Sequence, residues 1–477
     1  TSSRPVLLLV SSFGFGALGL WAQEDQPGRG VARLSLINGE VSVKRGDSGD
    51  LVAAAVNAPL VVQDRVLTGG AARAEVQFDF ANFLRVGPVS EVRLNEIEYR
   101  RFMVQLARGT VTWRVMRDNA SDVDISTPSV SVRPVEWGDY RVTVHDDGTT
   151  EVTVRRGQAE IFSPRGTQRL RAGQTLLARG TQADPEFRIT AAVEEDEWDR
   201  WNLRRDRDFD RSRSRQYVAQ DILGWEELDQ HGAWVNVAPY GMVWRPRVAA
   251  GWAPYRFGRW TWVDWYGWSW VSHDPFGWAP FHHGNWFWHA NSWCWWPGGF
   301  GRTWWRPAVV SWFGWGGGGF GLNVGWGGPG WGLGWVPLAP FERFRPWYGR
   351  GFYGGGWGNT TIVNNTRIIN NYNIVNNYRN ARVDGAVQGI AAEQFGRLGS
   401  GEYQRVSQAN LRNAGLVDGA VPAAPARDSL AYGGRILGGP NEGGIRGSGG
   451  GSDPSFYSRR EAARVERVPF DQQQRGM

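Results

Sequence analysis

The sequence predicts a mainly β protein. A β sandwich or roll comes first, and a Trp-rich β-hairpin repeat module follows. A charged helical linker joins them, and a disordered tail ends the chain. Three observations carry this reading. Residues 31–180 hold about ten short alternating runs punctuated by Gly, Pro or Asp turns. Gly251-Trp252-Ala253-Pro254-Tyr255 returns 26 residues later as Gly277-Trp278-Ala279-Pro280-Phe281, with Trp260 and Trp262 returning as Trp286 and Trp288. Between these regions, residues 181–216 are dense in charge, acids first and arginines after.

The chain opens with Arg4 ahead of an apolar run from Val6 to Trp21, then Ala22 and the polar Gln23-Glu24-Asp25. This is the pattern of a secretory signal peptide over residues 1–22. Ser11, Ser12 and three glycines interrupt the run, which is marginal for spanning a bilayer. An uncleaved anchor is the alternative, with membrane contact confined to this segment. The chain is expected to be exported to the periplasm or surface of a bacterium.

In residues 31–180, Ala74-Glu75-Val76-Gln77-Phe78 alternates with period two. Val142-Thr143-Val144 and Val152-Thr153-Val154 flank Asp146-Asp147-Gly148, a hairpin signal. A set of motifs runs through the region: Gly39-Glu40-Val41, Asp64-Arg65-Val66-Leu67-Thr68-Gly69, Arg73-Ala74-Glu75-Val76 and Leu84-Arg85-Val86-Gly87-Pro88. Thr127-Pro128, Gly157-Gln158-Ala159-Glu160 and Arg171-Ala172-Gly173-Gln174 continue it. In order and spacing this region resembles the FecR-domain family. Val132-Arg133-Pro134-Val135-Glu136-Trp137 departs from the family's Val-Arg-Gly-Thr-like turn. The family's best-known members are inner-membrane regulators that signal to a sigma factor through a cytoplasmic N-terminal segment. With at most five residues before the apolar run, that role is not carried over. The resemblance implies an exported β domain used for contacts.

Residues 181–216 read as a charged linker helix. Glu194 to Glu197 precede Arg204, Arg205 and Arg207, an order that suits the helix dipole. The expectation is a solvated helix or stiff spacer.

Residues 217–358 form the Trp-rich module, and from Gly224 to Gly358 the chain holds 24 of the 29 Trp with no Ile. Gly258-Arg259-Trp260-Thr261-Trp262 and Trp268-Ser269-Trp270 are arms of one hairpin, with Trp facing Trp. Trp286/Trp288 and Trp293/Trp295 form the next. Gly232-Ala233-Trp234 with Val243-Trp244 is a degenerate earlier copy, and Trp305-Arg306-Pro307 a late echo. A module so poor in aliphatics builds its core from indoles, so most Trp are structural. A minority on a hairpin face, namely Trp260, Trp262, Trp268, Trp270, Trp286 and Trp288, are the candidate ligand-binding residues for stacking on sugars. The module also resembles a Trp/Pro/Gly-rich domain of unknown function that follows FecR-like domains in exported bacterial proteins. Its matching residues are Tyr240-Gly241-Met242-Val243-Trp244-Arg245-Pro246, both Gly-Trp-Ala-Pro copies and Gly334-Trp335-Val336-Pro337-Leu338-Ala339-Pro340.

Residues 359–425 carry Asn hexads, read as a surface strand or hairpin, and a short helix within Val406 to Leu416. Stacked Asn ladders would support self-association. Residues 426–477, rich in Gly and Arg, read as a disordered tail.

Few chemistries fit. A net charge of +6 on 477 residues is modest and dispersed, so no nucleic-acid partner is expected. The single cysteine, Cys294, precludes an intrachain disulfide. His273, His282 and His289 match no metal-ligand spacing, so no metal site or cofactor is assigned. Glu226, Glu227, Asp229 and Asp264 are the acids that paired-carboxylate glycoside hydrolysis would use. No nucleophile or phosphate-loop motif accompanies them, so no catalytic residue is assigned and the protein is not expected to be an enzyme. The expected function is a non-enzymatic envelope protein that binds cell-wall polysaccharide or an envelope protein. The alternatives are a self-associating matrix protein, a glycan-active enzyme or a FecR-type regulator.

Overall fold

The computed structural model describes residues 30–116, 121–181, 184–316, 331–349, 367–369, 372–397, 403–412, 414–439, 455–465 and 468–475. The signal peptide expected at 1–22 and most of the Asn hexads lie outside them. The described chain is mainly β, as the alternating runs require.

The first module is built on one strand. Arg101–Val115 is fifteen residues long and belongs to two sheets. Its first half pairs with Glu91–Glu98 and, in parallel, with Asp122–Ser126. Its second half pairs with Asn82–Val86 and Gly138–Val144. The strand turns between the sheets at Gly109, whose φ of 86° lies in the left-handed region. A Cβ there would sit 2.2 Å from Ser90 Oγ, so glycine is required. Ser90 Oγ fixes the corner by accepting from Thr110 N–H at 3.0 Å. One sheet runs from Pro59–Leu60 through Ala32–Asn38, Arg73–Gln77 and the shared strand to Asp184–Ala191. The other runs from Leu51–Ala53 through Val41–Lys44, Arg65–Thr68 and the shared strand to Gly166–Arg171. Their inner faces share one aliphatic core around Val104, Val111, Ile125 and Val142.

Helix α1, Glu197–Arg211, begins with a capping box formed by Asp196 and Asp199. The helix is where the sequence places it, but it is not a solvated spacer. It lies across the first sheet and is held by charge. Asp199 takes Arg141 at 2.8 Å and Arg155 at 2.7 Å. Asp206 takes Arg85 and Arg156, both at 2.7 Å. Arg205 reaches Glu75 at 2.9 Å, and Trp198 Nε1 donates to Thr112 Oγ1 at 2.8 Å. Glu75 is fully buried. Burial alone would raise its carboxyl, but Arg205 and Arg85 outweigh that and hold it down at about 2.

The Trp module contains four Trp-against-Trp hairpins in succession. Trp234 faces Trp244, Trp260 faces Trp270, Trp262 faces Trp268, and Trp286 faces Trp295. The fourth is not at Trp305-Arg306-Pro307. It pairs Val310–Trp315 with Gly332–Pro337, setting Trp312 opposite Trp335, and its arms are separated by the Gly-rich stretch. Trp305 instead stacks on His282, with ring centres 4.9 Å apart. The fourth hairpin is the centre of a six-stranded sheet completed by Arg367–Ile369, Gly415–Asp418, Gln388–Ala391 and Gln404–Arg405. The helix expected within 406–416 is Gln408–Arg412. In the Asn-rich stretch, Asn373 caps a short helix, accepting from Asn376 N–H at 2.9 Å, rather than joining a ladder.

The two modules share one interior. Val61 and Phe83 of the first pack into the indole core of the second. Arg33, buried in strand Ala32–Asn38, donates to Glu226 at 2.6 Å. Arg45 donates to Trp262 O at 3.1 Å and lies over the Tyr432 ring.

The described parts of the tail are also packed, contrary to the disorder that their composition suggests. Ile436–Gly438 adds a strand to Leu51–Ala53, Tyr432 is buried, and Gln473 accepts from Trp262 Nε1 at 2.6 Å. Specific aromatic, Arg and Gln contacts outweigh the low average hydrophobicity here.

Asp206→Ala removes a carboxylate shared by Arg85, Arg114 and Arg156, while Arg85 keeps Glu75, and is expected to cost about 1–3 kcal/mol in denaturant unfolding. Arg200→Ala, on the exposed side of α1, is expected to cost under about 0.5 kcal/mol.

A candidate aromatic binding surface

The hairpin with a two-residue turn at Ala290 and Asn291 explains where aromatic side chains reach solvent. Both turn residues have positive φ, 47° and 57°, as a type I′ turn requires. The tight turn leaves Trp288 and His289 at an exposed tip. Trp288 is 43% exposed. The other candidate residues, Trp260, Trp262, Trp268, Trp270 and Trp286, are buried in the indole core. The expected aromatic face therefore survives only at Trp288. Period two correctly put these indoles on a common face, but that face points inward.

The opposite face of the same sheet carries the alternative. In the four-stranded sheet Gly232–Val237, Gly241–Pro246, Ser292–Trp296 and Asn285–His289, alternation sends Trp234, Trp244, Trp286 and Trp295 inward. It sends Val237, Val243, Phe287 and Cys294 outward into a small second cluster with Tyr240 and Trp296. Phe341 covers the edge of this cluster. Its ring centre lies 5.3 Å from Trp296 and 6.2 Å from Tyr240. It is 76% exposed and held at φ 70°, a backbone conformation that is costly for a bulky side chain.

Glu342 imposes that conformation. Its carboxylate accepts from Ala339 N–H at 2.8 Å and from Arg379 N–H at 2.7 Å. Burial pushes this carboxyl up, against those two donors. Arg379 in turn donates to Tyr240 Oη at 3.1 Å. Trp296 Nε1 donates to Tyr240 O at 3.1 Å. The result is a platform of three ring faces bordered by an exposed guanidinium. The glycine-poor, Pro-rich segment 336–346 gave no local sequence signal for it, because it depends on contacts with residues about forty to a hundred positions away.

The acids considered for hydrolysis are used internally. Glu226 is paired with Arg33, and Glu227 lies 3.8 Å from Arg33 and from Arg205. Asp229 accepts from Ser214 Oγ at 2.7 Å and from Arg213 N–H at 2.9 Å, and Asp264 is buried. The histidines do not converge. His282 is buried and donates to Arg306 O at 2.7 Å, while His273 and His289 are exposed. Burial lowers His282 to about 3, so it is neutral. Among the described residues no group of three or more His, Cys, Asp or Glu is arranged to hold a metal ion. Cys294 is a free, buried thiol raised by burial.

The sandwich with its shared corner strand and the Trp-hairpin module each correspond to a known domain family. Residues 64–160 match the FecR protein family, and residues 225–343 match a family of unknown function, DUF6600. Two crystal structures of a candidate anti-sigma factor from Parabacteroides distasonis are similar to this chain at 18% identity. Each match covers 27% of this chain, spans 59% of that protein's length and has a TM-score of 0.24. No curated protein matches the chain. No described helix is long and apolar enough to cross a membrane.

Asp274 supplies a pH test of the hairpin core. Burial pushes its carboxyl up to about 6, although Trp252 Nε1 and Ser272 Oγ both donate to it. In the unfolded chain it titrates near ~3.9. Between about pH 4 and 6 the folded state binds more protons at this site, so its contribution to stability falls as pH rises. Asp274→Asn keeps an acceptor for both donors. The variant is expected to gain about 1–2 kcal/mol relative to the parent between pH 4 and 7, after allowance for partial exposure. Parallel thermal melts would show this; a constant difference would contradict it.

Proposed function

We propose that this chain is a non-catalytic binding scaffold of the bacterial envelope that holds a cell-wall glycan on the Phe341, Trp296 and Tyr240 platform. The observation that carries this is the exposed, backbone-strained Phe341, fixed by Glu342 beside two further rings. A pyranose ring has an apolar face that lies flat on an aromatic ring and hydroxyls around its rim. The exposed Arg379 guanidinium and the Tyr240 hydroxyl border the rings where those hydroxyls would lie. The FecR match at residues 64–160 and the leader expected at residues 1–22 support envelope placement. The engagement of Glu226, Glu227 and Asp229 in internal contacts supports binding without hydrolysis.

The test is calorimetric titration of the full chain with peptidoglycan fragments and envelope polysaccharides. Saturable binding is expected, weakened about tenfold or more by Phe341→Ala and by Arg379→Ala. The absence of any glycan binding overturns the glycan reading. Binding that is indifferent to both substitutions removes the platform from it.

A further inference from the structure

The tail returns to the first module at a place with its own chemistry. Tyr457 N–H donates to Thr127 O at 2.9 Å, and the two residues form an antiparallel bridge. The hydroxyls of Ser458 and Ser126 are 2.8 Å apart. Arg459 donates to Asp122 at 2.6 Å, approaches Asp124 to 3.6 Å and lies over the Phe162 ring. Arg460 pairs with Glu96 and lies 3.4 Å from Asp122. The floor of this slot is unusual, because the Glu96 and Asp124 side chains have no solvent exposure at all.

The charge count explains why arginine is there. Glu96, Glu98, Asp122, Asp124 and Glu160 line or adjoin the slot. The module opposes them with Arg101, Arg133 and Arg169. Arg459 and Arg460 bring five carboxylates into balance with five guanidinium groups. Without them, two negative charges are left over at a site with buried carboxylates, where an unpaired charge is costly. The backbone bridge at Thr127 adds a requirement for an extended chain, as when a strand joins a sheet edge.

The occupant is built to exchange. Arg459 and Arg460 remain partly exposed, and the flanking Ser455 and Glu461 are exposed. The tail has a second, separate anchor at Phe470 and Gln473, so the slot can open while the tail stays attached. Tethering keeps the cis segment at high effective concentration and sets a threshold for any competitor.

We infer that this slot is a docking site for an extended strand carrying two adjacent arginines, occupied in cis by Tyr457–Arg460 and open to a basic strand of a partner protein that displaces it.

The test uses the full chain and a fluorescein-labelled peptide spanning residues 455–465, read by anisotropy. The parent chain is expected to bind weakly, because its own tail competes. The Arg459→Ala/Arg460→Ala chain is expected to bind at least about tenfold more tightly. That gain should vanish with a peptide lacking both arginines, and with Asp122→Asn added to the chain. No gain in the double variant, or a gain that survives either control, overturns the proposal. Should the double variant misfold, Ser126→Cys/Ser458→Cys provides an independent reading. Its oxidised form is expected to exclude the peptide and its reduced form to admit it, and equal binding by both forms overturns the proposal.

Discussion

An indole buried in a core brings one N–H that gains from an acceptor, and where one is found it ties backbone to the indole core. Trp260, Trp270, Trp278, Trp286 and Trp312 have none among the described residues. A module this poor in aliphatic side chains has few interior groups that ask for nothing. Trp244 donates to Leu228 O, Trp268 to Ala423 O, Trp295 to His283 O, Trp335 to Tyr255 O and Trp347 to Trp268 O. An unsatisfied buried donor costs about 1–3 kcal/mol, so each of these bonds selects for a particular piece of backbone nearby. Several of those pieces are distant in sequence. Gln473 belongs to a segment whose composition gives no reason to fold, and Ala423 lies just ahead of it, yet both accept from indoles of the hairpin core. Trp260, Trp270, Trp312 and Trp335 meet one another largely edge to face, an arrangement favoured by the ring quadrupole.

The same logic at higher charge joins the modules. Arg33, Arg85 and Glu75 sit on the first sheet with no exposure, and a buried ion survives only when paired. Arg85 and Glu75 pair with each other, and their further partners Asp206 and Arg205, like Glu226 for Arg33, are contributed by residues beyond the end of that sheet. Helix α1 is therefore part of the sheet's electrostatics. With Val61 and Phe83 inside the indole core, the two modules form a continuous body. A scaffold of this kind presents its surface features in fixed relation to each other.

These features also mark what the sequence could and could not disclose. Hairpin pairing was legible because period two and short turns act locally; Trp260 opposite Trp270 and Trp286 opposite Trp295 are as the spacing requires. Helix α1 was legible from its charge order. Which side of a hairpin faces solvent was not legible, because period two defines two faces without ranking them, and even the polar Thr261 and Ser269 opposite the indoles are buried. The partners of α1 were hidden because Arg205 and Glu75 are 130 residues apart. The tail was misread because composition averages over residues, whereas its docking depends on a few side chains such as Tyr432, Arg459 and Phe470.

Using indoles as core material has a consequence for recognition. Once Trp260, Trp262, Trp268, Trp270 and Trp286 are committed to the interior, they can contact a ligand only if the module unfolds. Exposed aromatic surface then has to come from elsewhere in the pleat or from a loop. The outward side of the four-stranded sheet supplies the half-buried Trp296 and Tyr240, and the loop supplies Phe341. A ring presented by a loop would ordinarily be free to collapse onto the nearest apolar surface. Here the Glu342 carboxylate ties Ala339 to Arg379 and keeps Phe341 in its left-handed conformation. Strain of this kind persists only where surrounding bonds enforce it. The indole core thus provides a rigid base, and the neighbouring loop provides the aromatic surface that the core has taken out of reach.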